Sequence, residues 1–468
     1  MKNLFGITSA LLILFNAVSP VHAVYNPLEV PNNRFGIHIT DTNDLEDARN
    51  LINSQNGDWG YVTIVMQEND RDYSKWQDFF DICREKHIIP LVRLATTPNG
   101  SFWKKPAPGD APAWANFLNS LNWPIKNKYV ILFNEPNHAK EWGGQIDPKG
   151  YAEVVEAFSK KLKEEDEDFF ILNAGLDASA PEGKDTISEE RFLQDMLANK
   201  PHIFESIDGW NSHSYPNPGF SSSPQKRGKG SVSTYLWEEE FLNQLGIEKR
   251  FPIFITETGW SEKLLSEIQI AQNIELAYQT IWNNRNIIAV TPFILNYQDG
   301  LFSEFSWKMG EQFKGQYKAV QAFSKTKGEP IQKEDPILNI ELPETLLVNK
   351  NYVLPFKLDN KGQAIWKKEE GYVLRVEGAD LKVEPGEMEV NTRPGEALNA
   401  ELKVRTPKNP GEYTIKVVLE KNNKITLERT QNITVGKKEI EQPTPPKKTF
   451  RSLARKILKG ILLIHAYL

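Results

Sequence analysis

Val130-Ile131-Leu132-Phe133-Asn134-Glu135-Pro136-Asn137 and Phe254-Ile255-Thr256-Glu257-Thr258-Gly259-Trp260 decide the reading of this 468-residue chain. Each is a run of apolar, strand-forming residues that ends in a glutamate, and such runs read as strands buried on both faces. In a parallel barrel, a carboxylate at the C-terminal end of a strand points into the mouth, where these folds build their sites. Six further runs fit the same pattern: Phe35 to Ile39, Tyr61 to Met66, Ile88 to Leu94, Phe169 to Ala174, Asp208 to His213 and Ile288 to Leu295. Amphipathic stretches lie between them, such as Tyr151-Val154-Val155-Phe158 and Ile268-Ala271-Ile274-Ala277-Ile281, with apolar residues at three- and four-residue steps. Strand then helix, repeated eight times, predicts an α/β chain with a (β/α)8 TIM barrel over residues 30–328 rather than an open doubly wound sheet. Glu135 and Glu257 then close the fourth and seventh strands.

Beyond Gly328 the period changes to short alternating segments, including Tyr352 to Leu358, Gly371 to Val376 and Tyr413 to Leu419, punctuated by Asn-Lys-Gly and Pro-Gly turns. This predicts a small all-β sandwich over 335–436. Residues 437–448 contain Gln442-Pro443-Thr444-Pro445-Pro446 and read as a stiff linker. In 449–468 the apolar residues Phe450, Leu453, Ile457, Ile461 and Ile464 recur at helical steps among Arg451, Arg455, Lys456 and Lys459. That is a basic amphipathic helix, too short and too charged to span a bilayer; the alternatives are peripheral association with a membrane surface, docking on the protein's own surface, and a frayed tail without function. At the other end, Lys2, an apolar stretch from Leu4 to Val18 and Val21-His22-Ala23 form a signal-peptide pattern over 1–23, so the chain is expected to be secreted or displayed at the cell surface. Cys83, the sole cysteine, sits among Phe79, Phe80 and Ile82 and reads as a small buried hydrophobe. A net charge of −6 and the lack of a basic patch in the barrel segment argue against nucleic acid as a partner.

Asn134-Glu135-Pro136 and Thr256-Glu257-Thr258-Gly259-Trp260 resemble the two catalytic motifs of the clan A retaining glycoside hydrolases, the cellulase-like (β/α)8 enzymes. A third match is His213-Ser214-Tyr215, similar to the His-x-Tyr motif that ends strand six in many of these families. The segment Leu358-Asp359-Asn360-Lys361-Gly362 with Ile365-Trp366, and the later Pro410-Gly411-Glu412-Tyr413, resemble the immunoglobulin-like accessory domains beside bacterial hydrolases. Taken alone, Asn-Glu-Pro also fits a helix start, with Asn as cap and Pro in the first turn. Both motifs together, on buried strands in the right order, favour chemistry.

The resemblance implies hydrolysis of a β-linked carbohydrate with Glu257 as nucleophile and Glu135 as acid and then base, and with no metal or organic cofactor. It implies that Asn134 binds the sugar 2-hydroxyl and that Tyr215 donates to Glu257. His213 orients the cluster or binds a hydroxyl. Arg93 ends the third apolar run, and a buried arginine there pairs with a carboxylate and helps to keep Glu257 charged. His38, near the end of the first strand, is a further substrate contact. Trp260 is the expected stacking platform for a sugar face, and Tyr297 or Trp307 takes the place of the tryptophan that related families carry after strand eight. The alternative is a non-catalytic barrel that binds polysaccharide at the cell surface. Only the enzyme requires both glutamates.

Overall fold

The computed structural model describes residues 24–437. The expected signal peptide, and all but the first residue of the expected linker and the whole C-terminal helix, lie outside the described residues. The chain divides into two units between Lys333 and Glu334. Residues just past Gly328 stay with the first unit: the Lys126 amide donates to the Ile331 carbonyl at 2.8 Å, and the Gln332 amide donates to the Pro124 carbonyl at 2.8 Å.

Eight parallel strands build the first unit: β1 (Gly36–Ile39), β2 (Gly60–Gln67), β3 (Ile88–Ala95), β4 (Lys128–Ile131), β5 (Phe169–Leu172), β6 (Trp210–His213), β7 (Ile253–Glu257) and β8 (Ile287–Val290). Each pairs with the next in parallel through β5 and again from β6 to β8. Bridges from Leu172 to Gly209 and from Phe35 to Val290 join the two arcs, so the sheet closes on itself. One α-helix follows each strand within the loop to the next: α1 (Leu45–Ile52), α2 (Tyr73–Glu85), α3 (Ala111–Ser120), α4 (Pro148–Glu165), α5 (Glu189–Asn199), α6 (Thr234–Gln244), α7 (Glu267–Gln279) and α8 (Gly315–Ala322). This is the (β/α)8 barrel.

Burial on both strand faces explains why the runs read as continuous apolar sequence. Alternate residues go to different cores. Val62, Val92, Val130 and Ile171 face the helices, while Tyr61, Leu91, Tyr129, Phe170 and Phe254 fill the barrel interior. Tyr129 packs on Phe170 and Phe254 with ring centroids 4.9 and 5.3 Å apart, which plugs the barrel with aromatic side chains. A polar layer follows, formed on the same inward parity by Thr63, Asn211, Thr256 and Thr291 and joined by Asn173 from the helix-facing side. The Thr63 and Thr291 hydroxyls meet at 2.7 Å, Thr291 donates to the Thr256 carbonyl at 3.0 Å, and Asn173 and Asn211 exchange hydrogen bonds. Continuing that parity toward the strand ends brings His38, Arg93 and His213 to the mouth. Cys83 is buried in the helix-facing core, as a small hydrophobe would be.

The second unit is a two-layer β-sandwich. One sheet contains the strands Pro336–Ile340, Asn351–Asn360, Ala397–Arg405 and Lys382–Glu384, and the other Leu346–Leu347, Lys424–Gly436, Gly411–Lys421, Tyr372–Ala379 and Glu387–Met388. Pairing is antiparallel apart from the short parallel contact of Leu346–Leu347. Leu354, Phe356, Leu358, Leu402 and Val404 of the first sheet pack against Leu374, Val376, Ile415, Val417 and Ile433 of the second. Exposed residues alternate with these along Asn351–Asn360, the signature of a sheet with one wet face.

The threonine layer gives an asymmetric prediction. Thr291 both accepts from Thr63 and donates to Thr256, so Thr291→Val strands a buried hydroxyl and a buried carbonyl, at a cost of about 1–3 kcal/mol. Thr63→Val leaves the Thr291 donor satisfied and should cost about 1 kcal/mol or less. Urea unfolding of the two variants checks the order.

Candidate active site

Strand β4 stops pairing at Ile131, short of the expected Asn134, because the backbone turns. Phe133 and Glu135 both take left-handed φ values, 72° and 32°. A non-glycine residue held there costs about 1–3 kcal/mol, a strain that is typical of functional sites. Surrounding bonds hold the turn: the Phe133 amide donates to the Ile131 carbonyl at 3.1 Å, the Glu135 amide to Gly175 at 3.1 Å, and the His138 amide to Glu135 at 2.9 Å. Asn134-Glu135-Pro136 therefore does not open a helix; α4 begins at Pro148, capped by Asp147.

The turn brings Glu135 opposite Glu257 at the end of β7. Glu135, His213 and Glu257 each present a carboxylate oxygen or ring nitrogen, and these three atoms lie within 4.8 Å of one another. Glu257 is 8% exposed. One of its oxygens pairs with the Arg93 guanidinium and lies 3.9 Å from His38 Nε2. The other accepts from the Tyr215 hydroxyl at 3.1 Å and is 3.9 Å from His213 Nδ1. Arg93 also donates to Asn134 Oδ1 at 2.8 Å, which ties the two motifs together. Glu135 is the more open of the pair, and His213 Nδ1 meets its Oε1 at 2.9 Å.

The charges follow from these contacts. Burial alone pushes the Glu257 carboxyl up, but the positive charges of His213 and Arg93 outweigh it and hold the group down to about 2. His213 is fully buried, which favours the neutral ring, yet the Glu257 charge and the Glu135 hydrogen bond raise it above the ordinary histidine value. Burial and then the charges of Glu257 and Glu135 push the Tyr215 phenol well up, so it remains a donor. His38 is driven down to about 3, first by burial and then by Arg93, and is neutral. The three clustered donor atoms are of types that ligate metals, but a dication there would meet the guanidinium that Glu257 already pairs with. The arrangement suits proton transfer around one fixed carboxylate.

Glu135, Glu257, Asn134, Arg93, His213, Tyr215 and His38 thus meet in one cluster. Three expected aromatic contacts do not join it. Trp260 is 2% exposed, turns into the core beside Trp282 and donates its indole N–H to the Ser222 carbonyl at 2.9 Å. Trp307 is 2% exposed within the same core. Neither has a ring face left for a sugar. Tyr297 is half-buried against Phe302, with centroids 5.8 Å apart, in a shallow cleft with Glu262, Lys308 and Lys314. The aromatic that follows β8 at the cluster is instead Phe293, edge-on to His38 at 5.1 Å. From it a wall of rings runs through Phe305 to Phe220 and Tyr215, with centroids 5.0 to 6.1 Å apart.

Sequence reading also missed a polar flank. The Asn134 amide donates to Glu141 Oε2 at 3.5 Å, and burial followed by the Glu135 charge raises the Glu141 carboxyl. His138 Nε2 pairs with Asp177 at 2.9 Å; burial lowers this histidine, but the Asp177 contact and the Glu135 charge raise it overall. The only signal for these residues is that they lie in the loops directly after the fourth and fifth strands.

No protein-family model matches the chain, and no curated protein does. Among solved structures, it is similar to a family 39 glycoside hydrolase from Bacteroides cellulosilyticus WH2 at 17% identity, over 81% of this chain and 82% of that one, with a TM-score of 0.47. It is also similar to a triply substituted endo-β-1,4-glucanase from Xanthomonas axonopodis pv. citri at 13% identity, over 62% of this chain and 98% of that one, with a TM-score of 0.43. The third is an endo-β-1,3-glucanase from Sorangium cellulosum at 12% identity, with the same coverage and a TM-score of 0.42.

The depressed Glu257 carboxyl makes stability depend on acid pH. A group whose folded value lies below its unfolded value stabilises the fold above the unfolded value, near 4.3, and loses that contribution as pH falls toward about 2. Arg93→Met removes one of the opposing cations and lets burial draw the Glu257 value upward. Acid unfolding followed by circular dichroism should then begin about 1–2 pH units higher than in the unsubstituted protein; an unchanged acid limb would show that Arg93 does not hold the carboxylate.

Proposed function

We propose that this protein is an exported retaining β-glycoside hydrolase that cleaves O-glycosidic bonds of a β-linked poly- or oligosaccharide through two glutamates. The observation that carries the reading is the pair Glu135 and Glu257, facing each other with oxygens within 4.8 Å and with unlike surroundings. Retaining enzymes hold their carboxyl groups about 5–5.5 Å apart, whereas inverting enzymes need about 6.5–9.5 Å to admit a water between them. Export rests on the pattern in residues 1–23.

In this reading Glu257, ionised by its cation partners, attacks the anomeric carbon. Glu135 gives its proton to the departing oxygen, and the C–O bond breaks as the bond to Glu257 forms. His213 donates to Glu135 Oε1, which leaves Oε2 to carry the transferred proton. Asn134, fixed by Arg93, meets the 2-hydroxyl, where hydrogen bonds strengthen as the oxocarbenium character develops. Glu135, now a carboxylate, draws a proton from water, and the water releases the sugar from Glu257. Phe293 offers an apolar face to the ring, the part expected of a tryptophan.

Purified protein is to be incubated with a panel of β-glucans, mannans, xylans and aryl β-glycosides. On the substrate it cleaves, Glu257→Ala should lose roughly 10⁴-fold or more in kcat. Azide should restore part of that turnover and give a product of inverted configuration, because the covalent step is bypassed. Full activity in the variant would overturn the assignment.

The acid is tested separately. Glu135→Gln should cost about 10²–10⁴-fold on substrates with poor leaving groups and far less on activated phenols, which depart without a proton. Equal losses on both classes, read as kcat/KM, would remove Glu135 from the role of proton donor.

A further inference from the structure

Gly175 has no part in the chemistry described so far, yet it touches the machinery twice. Its carbonyl accepts the Glu135 amide at 3.1 Å and so holds the left-handed turn that aims the acid. Its α-carbon lies against the His213 ring: a Cβ built there would stand 2.1 Å from His213 Cδ2 and 2.4 Å from Nε2. No side chain fits at that distance, so either the glycine or the imidazole would have to move.

The glycine cannot retreat, because its segment is fastened on both sides. Upstream, Asn173 and Asn211 form a double bond ladder: the Asn211 amide donates to Asn173 Oδ1 at 2.8 Å, and the Asn173 side chain donates to the Asn211 carbonyl at 3.1 Å. Downstream, fully buried Asn137 donates to the Asp177 carbonyl at 2.9 Å and accepts the Asp177 amide at 3.2 Å. Asp177 also bridges to His213. The added methyl would therefore press on the buried imidazole, and a displaced ring would disturb its 2.9 Å contact with Glu135 and its 3.9 Å spacing from Glu257.

We propose that Gly175 is a positioning residue that seats the His213 ring between the two glutamates while its carbonyl fixes the Glu135 backbone. It acts through His213 and Glu135 and touches no substrate. For its kinetic readout the inference rests on the glycosidase reaction proposed above.

The test is a double-mutant cycle of Gly175→Ala and His213→Ala, read by kcat and KM on the cleaved aryl glycoside and by thermal unfolding. Gly175→Ala should lower kcat about 10²-fold with KM within about threefold, shift the acid limb of kcat/KM upward as the imidazole leaves Glu257, and lower the melting temperature. In the His213→Ala background the same substitution meets no ring, and it should change kcat by less than about twofold and restore the lost melting temperature. A single variant that fails to fold while the double variant folds supports the proposal equally. Near-normal kcat in Gly175→Ala, or losses that simply add in the double variant, would overturn it. If the unsubstituted protein cleaves no glycoside, the enzyme reading fails and the melting temperatures alone decide whether the two residues are coupled.

Discussion

The buried charge on Glu257 is the constraint around which the mouth of this barrel is arranged. A carboxylate taken out of water is costly, and it is kept ionised only if cations and hydrogen-bond donors replace the solvent. Arg93 and His213 supply the charge and Tyr215 supplies the hydrogen bond. Arg93 comes from β3, and His213 and Tyr215 from the end of β6 and the residues just after it, while Glu257 ends β7, so the site depends on closure of the sheet rather than on any one loop. Arg93 in turn fixes Asn134, and His213 fixes Glu135, so the groups that stabilise one carboxylate also orient the other.

Barrel parity makes this possible. Inward-facing positions rise from an aromatic plug through a layer of hydroxyls and amides to the charged groups at the strand ends. Polarity grows along that axis, so the ionised residues rest on hydrogen-bonded hydroxyls and amides above an apolar plug. The rim itself is two-sided: phenylalanines flank Glu257 beyond His38 and Tyr215, while Glu141 and the His138–Asp177 pair flank Glu135. In the proposed reaction these unlike surroundings, polar groups around Glu135 and rings beyond the partners of Glu257, are what would push the two carboxyl groups into different roles.

The eight strands were legible because burial on both faces leaves continuous apolar runs, and Glu135, Glu257, Arg93, His38 and His213 were legible because each sits at or near the end of such a run. The end of β4 was misjudged by three residues, since nothing in Leu132-Phe133-Asn134 announces a left-handed turn held by a carbonyl from another loop. Trp260 and Trp307 misled for the opposite reason: an indole three residues past a strand looks the same in sequence whether it faces the cleft or the core, and here burial claimed both. Gly175 and Asn137 were invisible because their importance lies in contacts across loops, where a missing Cβ or a side-chain amide matters only once its neighbour is known.

Covalent trapping tests the central claim most directly. An activated 2-deoxy-2-fluoro β-glycoside, whose fluorine slows release more than attack, should inactivate the protein with time and leave one sugar residue attached through an ester, and peptide mass spectrometry should find it on Glu257. A sugar found on another residue, or steady turnover of β-glycosides with no trapped ester under the same conditions, would contradict the account.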